Sequence, residues 1–159
     1  MNTKLKIPPE EFYKSLPKKR MGAAVLLFNG AGDLLLVKPN YRDQWSLPGG
    51  VVDAEESPRA GAIREVYEEI GLTVHDLLLC AVGYAKTKEY KTEALHFVFS
   101  GGVLTDEQIA GIVLQEDEID AFQFVPPEDA CPLLIPSLCD RVPAALLALK
   151  NKTVVYRES

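Results

Sequence analysis

The segment AAVLLFNGAGDLLLVK, residues 23–38, restricts the fold more than any other part of the chain. Two short, almost continuously apolar runs rich in strand formers flank the turn chemistry of Asn-Gly-Ala-Gly-Asp, which predicts a β-hairpin. A strand with one wet face alternates apolar and polar residues. These runs do not, so at least one lies in a sheet covered on both sides. Neither approaches the ~20 apolar residues of a membrane span, and no other stretch does. The expectation is a layered domain, a mixed sheet with helices packed against it.

The rest of the chain supplies the other parts. QWSLPGGVV reads as a strand fragment, a Pro-Gly-Gly break and a second strand fragment. Pro58 to Ile70 is the strongest helix: Ser57 offers an N-cap oxygen, Pro58 suits the first helical position and Gly71 the left-handed stop. Ile63, Val66, Tyr67 and Ile70 recur at three- and four-residue steps, predicting a core-facing stripe. Strands follow near Leu77–Tyr84, Leu95–Ser100 and Ala121–Val125, with a short capped helix in TDEQIAGI and a C-terminal helix in PSLCDRVPAALLALK, irregular near Pro143. Residues 1–20 are polar and proline-punctuated, with a basic run at Lys18, Lys19 and Arg20. They read as an arm that is either a loose lead-in or a packing segment for a second copy, so a homodimer is one expectation. Residues 21–159 read as a single α/β (α+β) domain.

A formal net charge of −6 on 159 residues argues against a protein that coats a nucleic-acid polymer or an anionic membrane. It does not argue against a small anionic substrate met by local cations. The N-terminus lacks the apolar core of a signal peptide, and Cys80, Cys131 and Cys139 share no metal-ligand spacing; the expectation is reduced thiols in a cytoplasmic protein. Neither His75 nor His96 stands in a nucleophile context.

The chemistry is concentrated in the 58–70 helix. At 100° per residue Glu65, Glu68 and Glu69 fall within an arc of about 100°, nearly opposite the apolar stripe, and Glu56 in the preceding loop can fold back towards them. Like charges so spaced repel by roughly 0.2–0.5 kcal/mol per pair, so something should compensate. Oxygen donors without Cys or His select hard divalent cations, Mg²⁺ or Mn²⁺, although Glu-rich helix faces are often only solvated.

Spacing sharpens the choice. Gly50 is followed by Glu56, then Arg64-Glu65-Val66, Glu68-Glu69 and Gly71-Leu72, which fills every defining position of the Nudix box, G-x5-E-x7-R-E-U-x-E-E-x-G-U. The chain therefore resembles the Nudix hydrolase superfamily. The resemblance implies a Nudix-type α/β/α sandwich around a mixed β-sheet and a divalent-metal-dependent pyrophosphohydrolase that splits a nucleoside diphosphate linked to a further group. It implies that Glu65, Glu68 and Glu69 bind the cation, with a carbonyl from Gly49, and that Arg64 pairs with Glu56 or a neighbouring Glu to hold the loop on the helix. Gly50 and Gly71 complete the backbone of the box. The general base is a box glutamate or a later acid, where LQEDEIDAF offers Glu118 first and Glu116 second.

Substrate choice is less constrained. Tyr41, Arg42 and Trp45 lie on the approach to the Gly-Gly turn, and Lys86, Lys88, Tyr90 and Lys91 lie on a later loop; an aromatic can stack on a base and a cation can meet a phosphate. A nucleoside triphosphate, oxidised or not, ADP-ribose and a nucleotide sugar all remain open. So do two other classes of function: a nucleotide-sensing module without turnover and a scaffold stabilised by Ca²⁺.

Overall fold

A computed structural model describes residues 7–158. The apolar runs become β1 (Arg20–Phe28) and β2 (Leu34–Pro39). Between them Asn29 organises the turn, its side-chain oxygen accepting from the backbone N–H groups of Ala31 at 3.0 Å and Asp33 at 2.8 Å. The remaining strands are β3 (Gly49–Val51), β4 (Leu78–Ala85), β5 (Ala94–Val103), β6 (Ile119–Val125) and β7 (Val155–Glu158). All seven form one sheet in the order β6-β2-β1-β5-β4-β7, with β3 paired to β1. The β1–β5 and β4–β7 pairs are parallel and the others antiparallel, so the sheet is mixed.

Helices cover both faces. The helices are α1 (Pro9–Ser15), α2 (Pro58–Ile70), α3 (Asp106–Ala110) and α4 (Pro136–Asn151). Alternate residues of the apolar runs serve opposite layers. Val25, Leu27, Leu35 and Val37 pack with Ala62, Val66 and Ile70 of α2, whereas Leu26, Leu34 and Leu36 pack with Leu138, Val142 and Ala145 of α4. The unbroken hydrophobicity of β1 and β2 thus arises from two cores, one on each side of a shared sheet. This is an α/β/α sandwich.

Several local expectations change. Tyr67 is not in the core stripe: it is 61% exposed, and Ala62, Val66 and Ile70 make the buried seam instead. The first predicted strand fragment around Trp45 reduces to isolated bridges, Val37 with Ser46 and Trp45 with Leu134. Helix α4 continues through Pro143. The arm contains α1, none of whose residues is buried; Lys19 ion-pairs with Glu93 at 2.5 Å, and Arg20 donates to Thr92. Strand β7 was not legible as a strand, since VYRE carries no buried residue and lies on the sheet edge. Cys80 is free and buried, and the turn into α4 brings the Cα atoms of Cys131 and Cys139 to 4.6 Å.

Among the described residues no helix is long and apolar enough to cross a membrane.

Candidate active site

Helix α2 begins and ends as its sequence dictates. The Ser57 hydroxyl accepts from the Ala60 N–H at 3.1 Å, Pro58 follows, and Gly71 stops the helix at φ 71° while donating to the Tyr67 carbonyl. These ends fix the rotation of the helix, and with it which carboxylates face the Gly49–Gly50 strand.

Arg64 is the hub of one set of contacts. Its Nε and Nη2 donate to the two carboxylate oxygens of Glu56 at 2.9 and 3.0 Å, and Nη2 also reaches the Val51 carbonyl at 3.0 Å. Its Nη1 donates to Glu65 Oε1 at 3.0 Å and Glu68 Oε2 at 2.9 Å. Glu56 in turn accepts from the Asp53 N–H at 2.9 Å. The guanidinium fork thereby fastens the 52–57 loop to the helix and compensates three carboxylates together. These bonds hold the Glu56 carboxyl below its ordinary range, Arg64 contributing most, and push the guanidinium of Arg64 upward.

Glu69 lies apart from that hub. It is only 7% exposed, and its Oε2 accepts from the Gly49 N–H at 2.8 Å. Burial pushes its carboxyl up to about 8; the Gly49 bond opposes this, the charges of Glu65 and Glu118 add to it, and Arg42 opposes it from farther away. Burial raises Glu65 too, partly offset by Arg64, with Glu68 and Glu118 adding repulsion. A Cβ on Gly50 would sit 2.5 Å from the Glu65 carboxyl carbon, so this glycine makes room for the acid.

The other residues singled out from sequence fall in three places. Glu118, just before β6, is exposed yet close enough for its charge to act on both Glu65 and Glu69; Glu116 is exposed in the same turn. Tyr41 and Arg42 line a cleft of about 200 Å³ beside Gly49 and Gly50, with the Arg42 guanidinium 5.1 Å from the Tyr41 ring centre. Trp45 packs into the core under α4 and does not line that cleft. Lys86, Lys88, Tyr90 and Lys91 are outside its lining as well.

Sequence reading passed over Gly61 and Arg141, and weighed His96 only as part of a nucleophile context. Gly61 had a signal: a glycine inside a helix costs ~1 kcal/mol. The reason is that a Cβ there would meet Glu56 Oε2 at 2.9 Å. His96 and Arg141 both line the cleft. Burial, with the charges of Arg141 and Arg20, brings the His96 imidazole down to about 4 from the ordinary 6.5. Its folded form is therefore neutral at pH values where an unfolded chain takes up a proton. The stability present above pH 6.5 is lost as pH falls towards 4. With a discount for partial exposure the loss is about 1–2 kcal/mol, and His96→Gln should flatten that part of a chemical-denaturation pH profile.

Among the described residues, no three His, Cys, Asp or Glu side chains already converge as a metal cage. In this arrangement the Arg64 guanidinium occupies oxygens of Glu65 and Glu68. The donor chemistry nonetheless fits a hard divalent cation. Glu65, Glu69 and Glu118 bring oxygen ligands whose mutual repulsion is evident at Glu69, and a nearby cation would relieve it.

A sequence-family model described as the NUDIX domain matches residues 18–143, most of the chain. The chain belongs to the Nudix hydrolase superfamily. In sequence this Nudix chain is similar to an RNA pyrophosphohydrolase of Acidiphilium cryptum, 41% identical over 66 residues that cover 38% of this chain and 39% of that protein. It is similar also to diphosphoinositol polyphosphate phosphohydrolase 2 of Mus musculus, 47% identical over 58 residues that cover 35% of this chain and 31% of that protein. The matched stretch thus spans well under half of either relative. In structure it resembles the MutT protein of Methanosarcina mazei Go1 with a TM-score of 0.66 and 27% identity, over 86% of this chain and 99% of that one. An ADP-ribose pyrophosphatase of Streptococcus suis shares the fold, with a TM-score of 0.66 and 22% identity over 89% of this chain and 100% of the other.

Proposed function

We propose that this Nudix chain is a divalent-metal-dependent pyrophosphohydrolase that cleaves a phosphoanhydride in a nucleoside diphosphate linked to a further group, with a nucleoside triphosphate as first choice and ADP-ribose or a nucleotide sugar as second. The observation that carries this reading is the buried Glu69 carboxyl, bonded to the Gly49 N–H and repelled by Glu65 and Glu118. Such repulsion is unfavourable in an empty site and useful in one that receives a cation. Residues 21–159 are taken as one domain preceded by an arm, of which residues 1–6 lie outside the described residues and Arg20 already opens β1.

Glu65 and Glu69 would hold the ion, with Glu68 joining by leaving Arg64, and Mg²⁺ or Mn²⁺ is the expected metal. When bound, the metal supplies neutralisation of phosphate oxygens and a more acidic water. Arg64 keeps Glu56 and the loop against α2, so that Gly49 and Gly50 stay at the carboxylates. Glu118 is the proposed general base: it is exposed and within electrostatic reach of Glu65 and Glu69, so its carboxylate oxygens are available to a water beside them. Arg42 and Tyr41, on the cleft, are positioned to take phosphate and base.

The test is a substrate screen with product identification in Mg²⁺, Mn²⁺ and EDTA. It includes nucleoside triphosphates, 8-oxo-dGTP, ADP-ribose, nucleotide sugars, a diphosphoinositol polyphosphate and 5′-triphosphorylated RNA. Metal-dependent release of a phosphate-ended fragment from at least one of them is expected. Nucleotide binding without turnover would favour the sensing module, and metal-dependent melting without nucleotide affinity the Ca²⁺ scaffold.

Gly50→Ala separates site geometry from folding. Its Cβ would press on the movable end of Glu65 rather than on backbone. Activity should fall about 10²-fold, the scale of a ~1 Å misplacement, while the thermal midpoint stays near that of the parent. A large drop in midpoint instead would show that Gly50 serves the sheet and not the acid.

A further inference from the structure

On the opposite side of the sheet from α2 stands a charge that the fold leaves unanswered. Arg141, on α4, is 6% exposed, and it has no ion pair or hydrogen-bond partner among the described residues. Asp140, exposed beside it on the helix, acts on it only through space. Val142, next to it, is buried in the core under α4, whereas Arg141 lines the cleft that Gly49 and Gly50 border.

Resting on the hydrolase reading above, we infer that Arg141 receives a second oxyanion, phosphate or carboxylate, carried by the substrate away from the scissile bridge. Three features converge on this. First, the sheet is shaped around the guanidinium: a Cβ on Gly83 would meet Arg141 Nε at 2.8 Å and Cδ at 3.1 Å. Second, the cleft is cationic, lined by Arg20, Arg42 and Arg141 and by no Asp or Glu. Arg20 is already engaged with Thr92, whereas Arg42, on the same cleft, has a buried Nε without a partner. Third, the largely buried guanidinium meets only the cleft and the through-space charge of exposed Asp140, and a planar fork matches the two oxygens of a phosphate or carboxylate. Substrates with an anionic group remote from the cleaved bond are accordingly preferred over those without one.

The experiment observes the Arg141 Nε–H resonance of the ¹⁵N-labelled full chain in metal-free buffer, assigned by its absence in Arg141→Lys. Inorganic phosphate, succinate and sodium chloride are titrated at matched ionic strength. The expected result is a saturable shift with phosphate, succinate or both, and none with chloride. Saturation by phosphate alone identifies a phosphoryl group, and saturation by succinate as well a general oxyanion pocket. Backbone resonances lining the cleft should follow the same curve in the parent and need about 10-fold more anion in Arg141→Lys, the scale of one charged hydrogen bond. A resonance that none of the three moves, or that chloride moves equally, overturns the inference. So does Arg141→Lys binding as tightly as the parent. The titration involves neither metal nor hydrolysis, so a chain that binds the oxyanion but cleaves nothing in the screen refutes the hydrolase reading alone.

Discussion

Glu69→Gln is expected to reduce kcat/KM by about 10²–10³-fold, the cost of removing one charge that stabilises a transition state, without destabilising the metal-free protein. The two halves of this result come from one fact. Burial keeps the Glu69 carboxyl protonated up to about pH 8 when no cation is present, so glutamine mimics the form that the empty site prefers. An unfolded glutamate titrates near 4.5, hence between pH 4.5 and 8 the folded chain holds a proton that the unfolded chain has released. Stability of the metal-free protein therefore falls as pH rises through that window, by at most a few kcal/mol at ~1.4 kcal/mol per unit. Glu69→Gln should remove that slope. Denaturation in EDTA between pH 5 and 8.5 checks the stability half, and steady-state kinetics on the best substrate checks the other. A variant with full turnover, or one that loses stability at pH 8 in EDTA, would contradict the role given to this acid.

Gly49→Ala is expected to be the most damaging single change for the fold, costing about 3 kcal/mol or more. Gly49 has φ 145°, a backbone state that L side chains rarely adopt, and its Cβ would sit 2.2 Å from the Ala23 carbonyl oxygen and 2.6 Å from the Ala24 Cα. Both obstacles are backbone of β1, paired to β3 in register, so nothing can swing aside. In a chain of this size the thermal midpoint should drop by about 6–12 °C. Gly30→Ala is the control. No heavy atom lies within 4 Å of its Cβ position, and its φ is not positive. The two variants melting together would show that the close approach at Gly49 is not what the glycine is for.

Much of this fold could be read from the chain because local signals agreed with the global demand. Continuous apolar runs at 23–28 and 34–37 require cover on two faces, and the two cores supply it. Ser57, Pro58 and Gly71 mark a helix independently of its partners. Tyr67 was misplaced because periodicity assigns a face but not its width, and a hydroxyl-bearing ring at the seam's edge can turn outward. Edge strand β7 carries no burial pattern at all, so only pairing with β4 makes it a strand.

The site divides the same way. The box spacing put the acids on one helix, but a helical wheel gives no depth. It set Glu69 among solvent-facing carboxylates, whereas the close approach of Gly49 buries it. Arg141 follows Asp140 in the otherwise apolar LCDRVPAAL run, 120 positions after Met21, which also lines the cleft, and only the packing of α4 on the sheet joins them. The pairing of Arg64 with Glu56 or a neighbouring Glu, by contrast, was implied by the Nudix resemblance, and Arg64 bonds Glu56, Glu65 and Glu68 together.

The central claim is that the acids of α2 exist to grip a divalent cation, and calorimetric titration of Mg²⁺ into the metal-free chain near pH 7.5 addresses it most directly. Run in two buffers of different ionisation enthalpy, it should show millimolar or tighter binding with release of about three-quarters of a proton, given up by Glu69 as the metal displaces it. Glu69→Gln should release none. An absence of binding at millimolar Mg²⁺, with or without nucleotide, or binding without proton release, would contradict the account.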